Sequence, residues 1–203
     1  MENQQQNQQR GQETRERILE VAERRFAEQG YEATGVAEIC KLAEVTKGGF
    51  YHHFPSKQAL FLELLTRWLT MLDGQMAALG KGAETVPEAL NQMAGMMGHI
   101  FAVGSGHLPM FLEFWSQAAR DPEVSQATIA PYRRYRQYFA GMIKSGIDEG
   151  SLRRVDPEVA SLALVSMAVG LLLQGLLDPQ GEDWAHVAQE GVGLMLEGLQ
   201  APR

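Results

Sequence analysis

Apolar residues recur at helical spacing along this chain, and no segment alternates apolar and polar residues in the manner of a β-strand. Ile18, Ala22 and Phe26, for example, recur at every fourth position and would share one face of a helix. Clusters of β-branched residues, which strands favour, are scarce. Apolar residues make up 45% of the sequence, which is enough to bury helices against one another. The pattern therefore predicts an all-α protein.

Three helices are expected near the N-terminus, over residues 14–29, 36–43 and 46–54, of which the second and third are short. Thr14 and Thr34 are suitable N-caps for the first two, and Gly30 is a suitable residue to follow the first. A tight turn at Glu44 separates the second helix from the third. Ser56 caps a longer helix that follows. Two short helices joined by a tight turn indicate a helix-turn-helix, whose second short helix enters the DNA major groove.

The third helix is locally basic, although the whole chain carries a formal charge of −7. No acidic residue occurs from Val45 to Lys57. The same stretch contains the donor side chains Lys47, His52, His53 and Lys57. A local positive face can bind phosphates even on an acidic protein.

The segment Thr14–Leu65 resembles the DNA-binding domain of the TetR (tetracycline-repressor-like) family. The residues that carry the resemblance are Phe26, Gly30-Tyr31, Thr34, Ile39, Val45-Thr46-Lys47-Gly48, Phe50-Tyr51, Phe54-Pro55-Ser56-Lys57 and Leu60. The resemblance implies an N-terminal three-helix helix-turn-helix domain, followed by a larger helical ligand-binding and dimerisation domain. The expected DNA-binding residues are Thr46, Lys47, Gly48, Gly49, Tyr51, His52, His53 and Lys57.

Two features of this motif are unusual. Glu44 occupies the turn position where the family usually has glycine, so a left-handed backbone there would be strained. Gly48 and Gly49 each cost a helix about 1 kcal/mol relative to alanine. Two adjacent glycines suggest that a partner approaches the backbone closely. Because Gly49 has no side chain where many family members carry one that can read a base, direct base readout is expected to be sparse.

Other chemistry is not favoured by the sequence. The side chains of the adjacent His52 and His53 diverge by about 100° on a helix, which disfavours a shared metal ion. Cys40 is interpreted as a packing residue rather than a redox sensor. No catalytic constellation, glycine-rich phosphate loop or metal-ligand spacing is present in the sequence. We therefore expect neither an enzyme nor a cofactor.

The middle of the chain is rich in methionine and aromatic residues, which can line an adaptable apolar cavity. Ordinary core packing is the alternative for any one of them. Since bodies of the resembling family enclose an effector site, we expect a ligand site with an acidic or histidine side chain orienting the ligand. The candidate ligand-binding residues are Trp68, Met97, Phe101, Phe111, Glu113, Phe114, Trp115 and Tyr135.

The segment Val159–Leu177 contains no charged residue, and it is flanked by Asp156-Pro157 and Asp178-Pro179 as start and stop signals. Its length barely suffices to cross a membrane. We interpret it instead as a helix that pairs, together with the C-terminal helix over 183–199, with the same helices of a second copy. A membrane span is the less favoured alternative.

These features predict a disordered Gln-rich tail over 1–13, a DNA-binding domain over 14–58 and an effector-binding, dimerising domain over 59–203. The predicted function is that of a cytoplasmic homodimeric repressor, bound to palindromic double-stranded DNA and released by a small apolar or amphipathic ligand. A DNA-bound factor with no effector, or one controlled by a protein partner, is a second hypothesis. A small-molecule enzyme with a helical cavity is a third.

Overall fold

The computed structural model describes residues 2–79, 82–103 and 108–200, without the side chains of residues 2–5, 7, 77–79, 96–103, 108 and 111. Within these residues the chain forms nine helices. In chain order they are α1 (Glu2–Gln29), α2 (Val36–Leu42), α3 (Lys47–His53), α4 (Lys57–Leu79), α5 (Val86–Val103), α6 (Leu108–Ala118), α7 (Pro122–Glu149), α8 (Pro157–Leu177) and α9 (Trp184–Leu199).

The all-α prediction is confirmed: among the described residues the only β pairing is an isolated bridge between Leu152 and Gln200. Several predicted helix ends are also confirmed. Asp156 caps α8 by accepting hydrogen bonds from the backbone N–H groups of Glu158 and Val159. The Ser56 hydroxyl accepts a bond from the Ala59 N–H at the start of α4. These caps satisfy backbone donors that a helix leaves unpaired at its first turn.

The first helix begins at Glu2, so the predicted start at Thr14 and the predicted disordered tail are both wrong. Glutamine and glutamate are good helix formers, and no proline interrupts this segment. The Thr14 hydroxyl does not cap a helix. It donates to the Arg10 carbonyl oxygen at 2.8 Å, which is the bond that a threonine makes inside a helix.

The prediction that Thr34 caps α2 is also wrong, because the N-cap is Gly35. Thr34 is fully buried, and its hydroxyl donates to the Gly30 carbonyl oxygen at 2.9 Å. The same hydroxyl accepts a bond from the Gln29 amide at 3.2 Å. Gly30 has a φ of +88°, as expected for the residue that ends α1. Thr34 therefore closes the α1–α2 connection instead of starting α2.

The chain divides into two compact units. The first comprises the chain up to Leu69 together with Pro109–Ser125, and the second comprises Thr70–Leu108 and the chain from Gln126 onward. The predicted boundary between residues 58 and 59 therefore does not coincide with this division. Most of α6 belongs to the first unit, a long-range association that no local sequence signal marks.

The core of the first unit is aromatic. Phe26 of α1 packs edge-on against Phe61 of α4, with ring centroids 5.6 Å apart. Phe61 also packs against Phe114 of α6 at 4.6 Å. Elsewhere in this unit Phe50 of α3, fully buried, packs against Phe54. Burial of these rings ties the helix-turn-helix to α4 and α6.

The core of the second unit contains α5, α8 and α9. Its larger cluster comprises Leu90, Ala94, Leu164, Val192 and Leu196. A second cluster comprises Ile143, Leu152, Ala160 and Leu199. In this second region Gly146 of α7 lies so close to Leu152 that an added Cβ would be 2.7 Å from the leucine Cδ1. A side chain at position 146 would therefore require Leu152 to shift.

Candidate nucleic-acid interface

The turn between α2 and α3 is held by backbone and side-chain hydrogen bonds. Glu44 has a φ of +54°, so the expected left-handed conformation is present at a residue whose Cβ makes it sterically unfavourable. The next N–H, that of Val45, donates to the Cys40 carbonyl oxygen at 2.9 Å. Arg17 of α1 donates to the Ala43 carbonyl oxygen at 2.8 Å. This bond fixes the end of α2 against α1, and no local pattern in the sequence indicated this role for Arg17.

Helix α3 is anchored by one buried side chain and one cap. Phe50 is fully buried, and the Thr46 hydroxyl accepts a 3.0 Å bond from the Gly49 N–H. The opposite side of α3 carries the exposed residues Lys47, Gly48, Tyr51 and His52. No hydrogen bond or ion pair among the described residues engages the Lys47 ammonium. The helix thus presents donor side chains on a rigid, half-buried support.

The two glycines of α3 are not required by packing within the chain. A Cβ added at Gly48 would meet only the Thr46 hydroxyl oxygen, at 3.8 Å. One added at Gly49 would lie 3.4 Å from the same oxygen, in ordinary contact. Both glycines lie inside α3, and neither has a positive φ that would call for glycine. Packing among the described residues therefore does not offset their cost to the helix, in contrast to Gly146, and the same holds for other helical glycines such as Gly141.

The paired histidines differ in environment. His52 is exposed and His53 is half-buried, and their rings are 5.1 Å apart in an edge-to-face arrangement. Burial, with further contributions from the neighbouring His52 and Arg15, lowers the pKa of His53. At neutral pH the His53 ring is therefore predominantly uncharged and able both to donate and to accept a hydrogen bond.

Lys57 does not present its ammonium group freely. Its Nζ donates to the carbonyl oxygens of Tyr31 and Thr34, at 2.8 and 3.2 Å. It also lies 4.1 Å from the centroid of the Tyr31 ring. Two of its three N–H donors are thus used in closing the α1–α2 connection onto α4. The sequence placed Lys57 among the DNA-binding residues, and its observed partners give it a structural role.

Comparisons with known proteins identify the family to which this helix-turn-helix belongs. Residues 18–64 match the family profile described as bacterial regulatory proteins of the tetR family. Residues 102–197 match the profile of the C-terminal part of BetI-type transcriptional repressors. The chain belongs to the TetR family.

Individual relatives agree with this assignment. Over 191 residues the chain is 25% identical to the transcriptional regulator UidR of Escherichia coli (strain K12), with 92% of each chain covered. AcrR of Shigella flexneri is 50% identical over 56 residues, which cover 28% of this chain and 26% of AcrR. A protein from Saccharomonospora viridis, crystallised with choline, has the same fold, with a TM-score of 0.82, 23% identity and coverage of 95% of this chain and 100% of that one. As a TetR-family member, the chain is a DNA-binding transcriptional regulator and not an enzyme.

In this TetR-family chain Glu113 of α6 reaches the DNA-binding helices. Its Oε1 accepts a 2.8 Å bond from the Tyr31 N–H and a 3.2 Å bond from the Gln117 amide. Tyr31 is therefore held at its N–H by α6 and at its carbonyl oxygen by Lys57 of α4. We call this arrangement of Glu113, Tyr31 and Lys57 the Tyr31 clamp. With its carboxylate engaged there, the prediction that Glu113 orients a ligand is not supported by the geometry.

The other predicted ligand residues are divided between the two units. Trp68, Phe114 and Trp115 lie in the first unit, and Tyr135 lies in the second. Phe114 is a core residue packed on Phe61, which was the alternative interpretation. The Tyr135 hydroxyl donates to Asp73 at 2.8 Å, and burial together with this carboxylate raises the Tyr135 pKa to about 12. The side chains of the remaining three candidates, Met97, Phe101 and Phe111, lie outside the described residues.

Apolar side chains are exposed on the two C-terminal helices. In α8 these are Val159, Leu162, Leu173 and Leu177, and in α9 Leu194 is 69% exposed. Among the described residues α8 is also the one helix long and apolar enough to cross a membrane by length and composition. In a single chain, the described residues leave much of the apolar surface of α8 exposed.

Proposed function

We propose that this TetR-family protein is a homodimeric repressor that binds a palindromic operator through α3 and is released by a small apolar or amphipathic ligand, acting in the cytoplasm. One observation carries the DNA-binding part of the proposal. The exposed side of α3 carries the donors of Lys47, Tyr51 and His52, which no described residue engages in a hydrogen bond, on a helix anchored by the buried Phe50. Donors presented on such a supported helix suit the phosphates and base edges of a DNA major groove.

Within this surface, the side chains have distinct expected roles. Lys47 supplies a free ammonium, and Tyr51, 53% exposed, supplies a hydroxyl, so both suit phosphate oxygens. His52 projects from the same side and suits a phosphate or a base edge. Lys57 acts indirectly, since its bonds to Tyr31 and Thr34 fix the connection that precedes α2.

Dimerisation is supported by the exposed apolar surfaces of α8 and α9. Large apolar side chains exposed along the same pair of helices are typical of a protein–protein interface. Pairing α8 and α9 with their copies about a two-fold axis would bury these side chains in a four-helix arrangement. The symmetry would present two α3 helices to successive major grooves, about 34–36 Å apart, and would require a palindromic site.

Effector binding is supported by two buried polar atoms in the second unit. Gln75 Oε1 and Arg136 Nε are buried without a hydrogen-bond partner among the described residues. Buried polar atoms are normally satisfied, so the Gln75 oxygen suits a donor group of a ligand and the Arg136 nitrogen suits an acceptor group. The choline complex of the Saccharomonospora viridis protein is a precedent in this fold for a small organic ligand. A preference of about 1–3 kcal/mol for the DNA-incompetent state would suffice for release.

The DNA-binding part is tested by selecting duplexes from a random pool with the full-length protein and measuring affinity for the selected duplex against salt. Lys47→Ala is expected to weaken binding and reduce the salt slope by about one for each phosphate that the protein no longer neutralises. Lys144→Ala, a charge-matched control on α7, should leave both unchanged. Lys57→Ala should weaken binding without changing the slope. An unchanged slope for Lys47→Ala would exclude this placement of α3.

The assembly and effector parts need separate measurements. Light scattering should give a dimer at micromolar concentration, and a monomer would contradict the proposed interface. Amphiphilic ligands should quench tryptophan fluorescence and release the selected duplex. Ligands that bind but never change duplex affinity would contradict release while leaving DNA binding intact.

A further inference from the structure

A groove of about 510 Å³ lies between the N-terminal half of α1 and the end of α3. Its lining residues are Gln8, Gly11, Gln12, Arg15 and His53. The four residues from α1 are spaced as one face of a helix. His53 is the last residue of α3, so the groove begins where that helix ends.

Every polar side chain in the lining can donate a hydrogen bond, and Arg15 adds a positive charge. The donors are the two glutamine amides, the Arg15 guanidinium and the His53 ring, and no lining residue is acidic. Arg15 is fixed in place, since it bonds Glu63 at 3.2 Å and lies 4.8 Å from the Phe54 ring centroid. One bond to Glu63 leaves most of its five N–H donors available.

Gly11 determines how closely a ligand in this groove can approach α1. It lies inside α1, where glycine costs about 1 kcal/mol relative to alanine. An added Cβ would meet nothing within 4 Å, so the chain's own packing does not require glycine there. Its lack of a side chain keeps the groove open and lets a ligand approach the helix backbone.

We propose that this groove binds the sugar-phosphate strand of operator DNA that adjoins the major groove occupied by α3. The proposal rests on the proposed DNA-binding function and extends it to a segment outside the family match, which begins at residue 18. The groove is continuous with α3 through His53, and its lining contains the positive charge of Arg15 and no acidic residue. These two features select a DNA strand as the occupant. Because glutamine carries no charge, Gln8 and Gln12 contribute affinity without releasing counterions.

The test compares two matched double variants of the full-length protein. Gln8→Ala/Gln12→Ala removes donors from the groove, whereas Gln6→Ala/Gln9→Ala removes the same groups from exposed positions of α1 outside the lining. Alanine preserves the helix in both. Affinity for a duplex selected by the wild-type protein is measured by fluorescence anisotropy against salt, and the phosphates that the protein touches are mapped by ethylation interference.

We expect Gln8→Ala/Gln12→Ala to lose about fivefold or more in affinity with an unchanged salt slope. It should also lose interference at phosphates that matter to the wild-type protein. Gln6→Ala/Gln9→Ala should match the wild type in both measurements. Gly11→Leu, a good helix former that fills the groove, should reproduce the loss while circular dichroism shows intact helices.

Three results would overturn the proposal. The first is equal affinity for both double variants, and the second is identical interference patterns. The third is a changed oligomeric state of Gln8→Ala/Gln12→Ala with unchanged DNA affinity, which would identify a second copy as the occupant. Each of these leaves wild-type binding to the selected duplex intact. Failure of the proposed function would instead appear as a wild-type protein that selects no duplex.

Discussion

Loss of the Glu113 carboxylate should loosen the α1–α2 connection at a single amide. Glu113 Oε1 accepts a 2.8 Å hydrogen bond from the Tyr31 N–H, and Tyr31 is half-buried. A hydrogen bond to a charged group contributes about 1.5–3 kcal/mol when it is buried. Partial exposure at Tyr31 favours the lower end, about 1.5 kcal/mol. Glu113→Leu keeps a similar volume and removes the acceptor, whereas Glu113→Gln keeps an uncharged acceptor and should cost about half as much.

Native-state hydrogen exchange at the Tyr31 amide measures this loss locally. A cost of about 1.5 kcal/mol corresponds to a roughly tenfold loss of protection if the amide exchanges by local opening. Glu113→Leu should show this loss at Tyr31, and Glu113→Gln should show a loss of about threefold. Glu20→Leu, an exposed position on α1, should leave Tyr31 protection unchanged.

The same variants test whether the Tyr31 clamp supports DNA binding. Lys57 bonds the carbonyl oxygen of Tyr31, and Glu113 bonds its N–H. Loss of the bond to Glu113 should therefore weaken duplex binding by the Glu113→Leu variant without changing the salt slope. Roughly tenfold lower protection with unchanged DNA affinity would refute a role in binding. Wild-type protection in Glu113→Leu would refute the energetic argument itself.

Three further predictions concern the backbone, the interface and the core. Glu44→Gly should exceed Glu44→Ala in stability by about 1 kcal/mol in urea unfolding at fixed protein concentration, because only glycine relieves the φ of +54°; equal stabilities would mean that the turn is not strained. Leu194→Glu should raise the dimer dissociation constant by at least about 100-fold in sedimentation experiments, because pairing α9 with its copy would bury an unpaired charge. Ile129→Glu, at another exposed apolar residue, should leave the constant unchanged, and equal effects of the two variants would place the interface elsewhere. Gly146→Ala should lower the free energy of unfolding by about 1–3 kcal/mol, because the added Cβ clashes with Leu152. Gly141→Ala in the same helix meets nothing within 4 Å and should raise that free energy, and a neutral Gly146→Ala would show that Leu152 can move aside.

The helix-turn-helix could be predicted because its signals are local. Helix ends depend on side chains within one turn, as the Asp156 cap and the left-handed Gly30 show. The strained turn at Glu44 was also predictable, since the position and the residue type together imply the cost. The family could also be assigned from the sequence, because the residues that match it lie within one short segment.

Local signals also misled where two local outcomes compete. A Gln-rich segment can remain disordered or extend an adjoining helix, and here it extends α1 from Glu2. A threonine before a helix can cap it or bond backward, and Thr34 bonds backward to Gly30 because it is buried there. Composition and position alone do not separate these alternatives.

Tertiary structure alone decided which partner each charged side chain has. Lys57 and Glu113 are distant in sequence, yet both bond the backbone of Tyr31. Nothing near either residue in the sequence indicates that partner. The sequence determined which residues can donate, accept or cap, and where helices end, because those properties depend on residue type and close neighbours. Only packing of α1, α4 and α6 determined which donors remain free for DNA, because a charge already satisfied inside the fold is no longer available outside it.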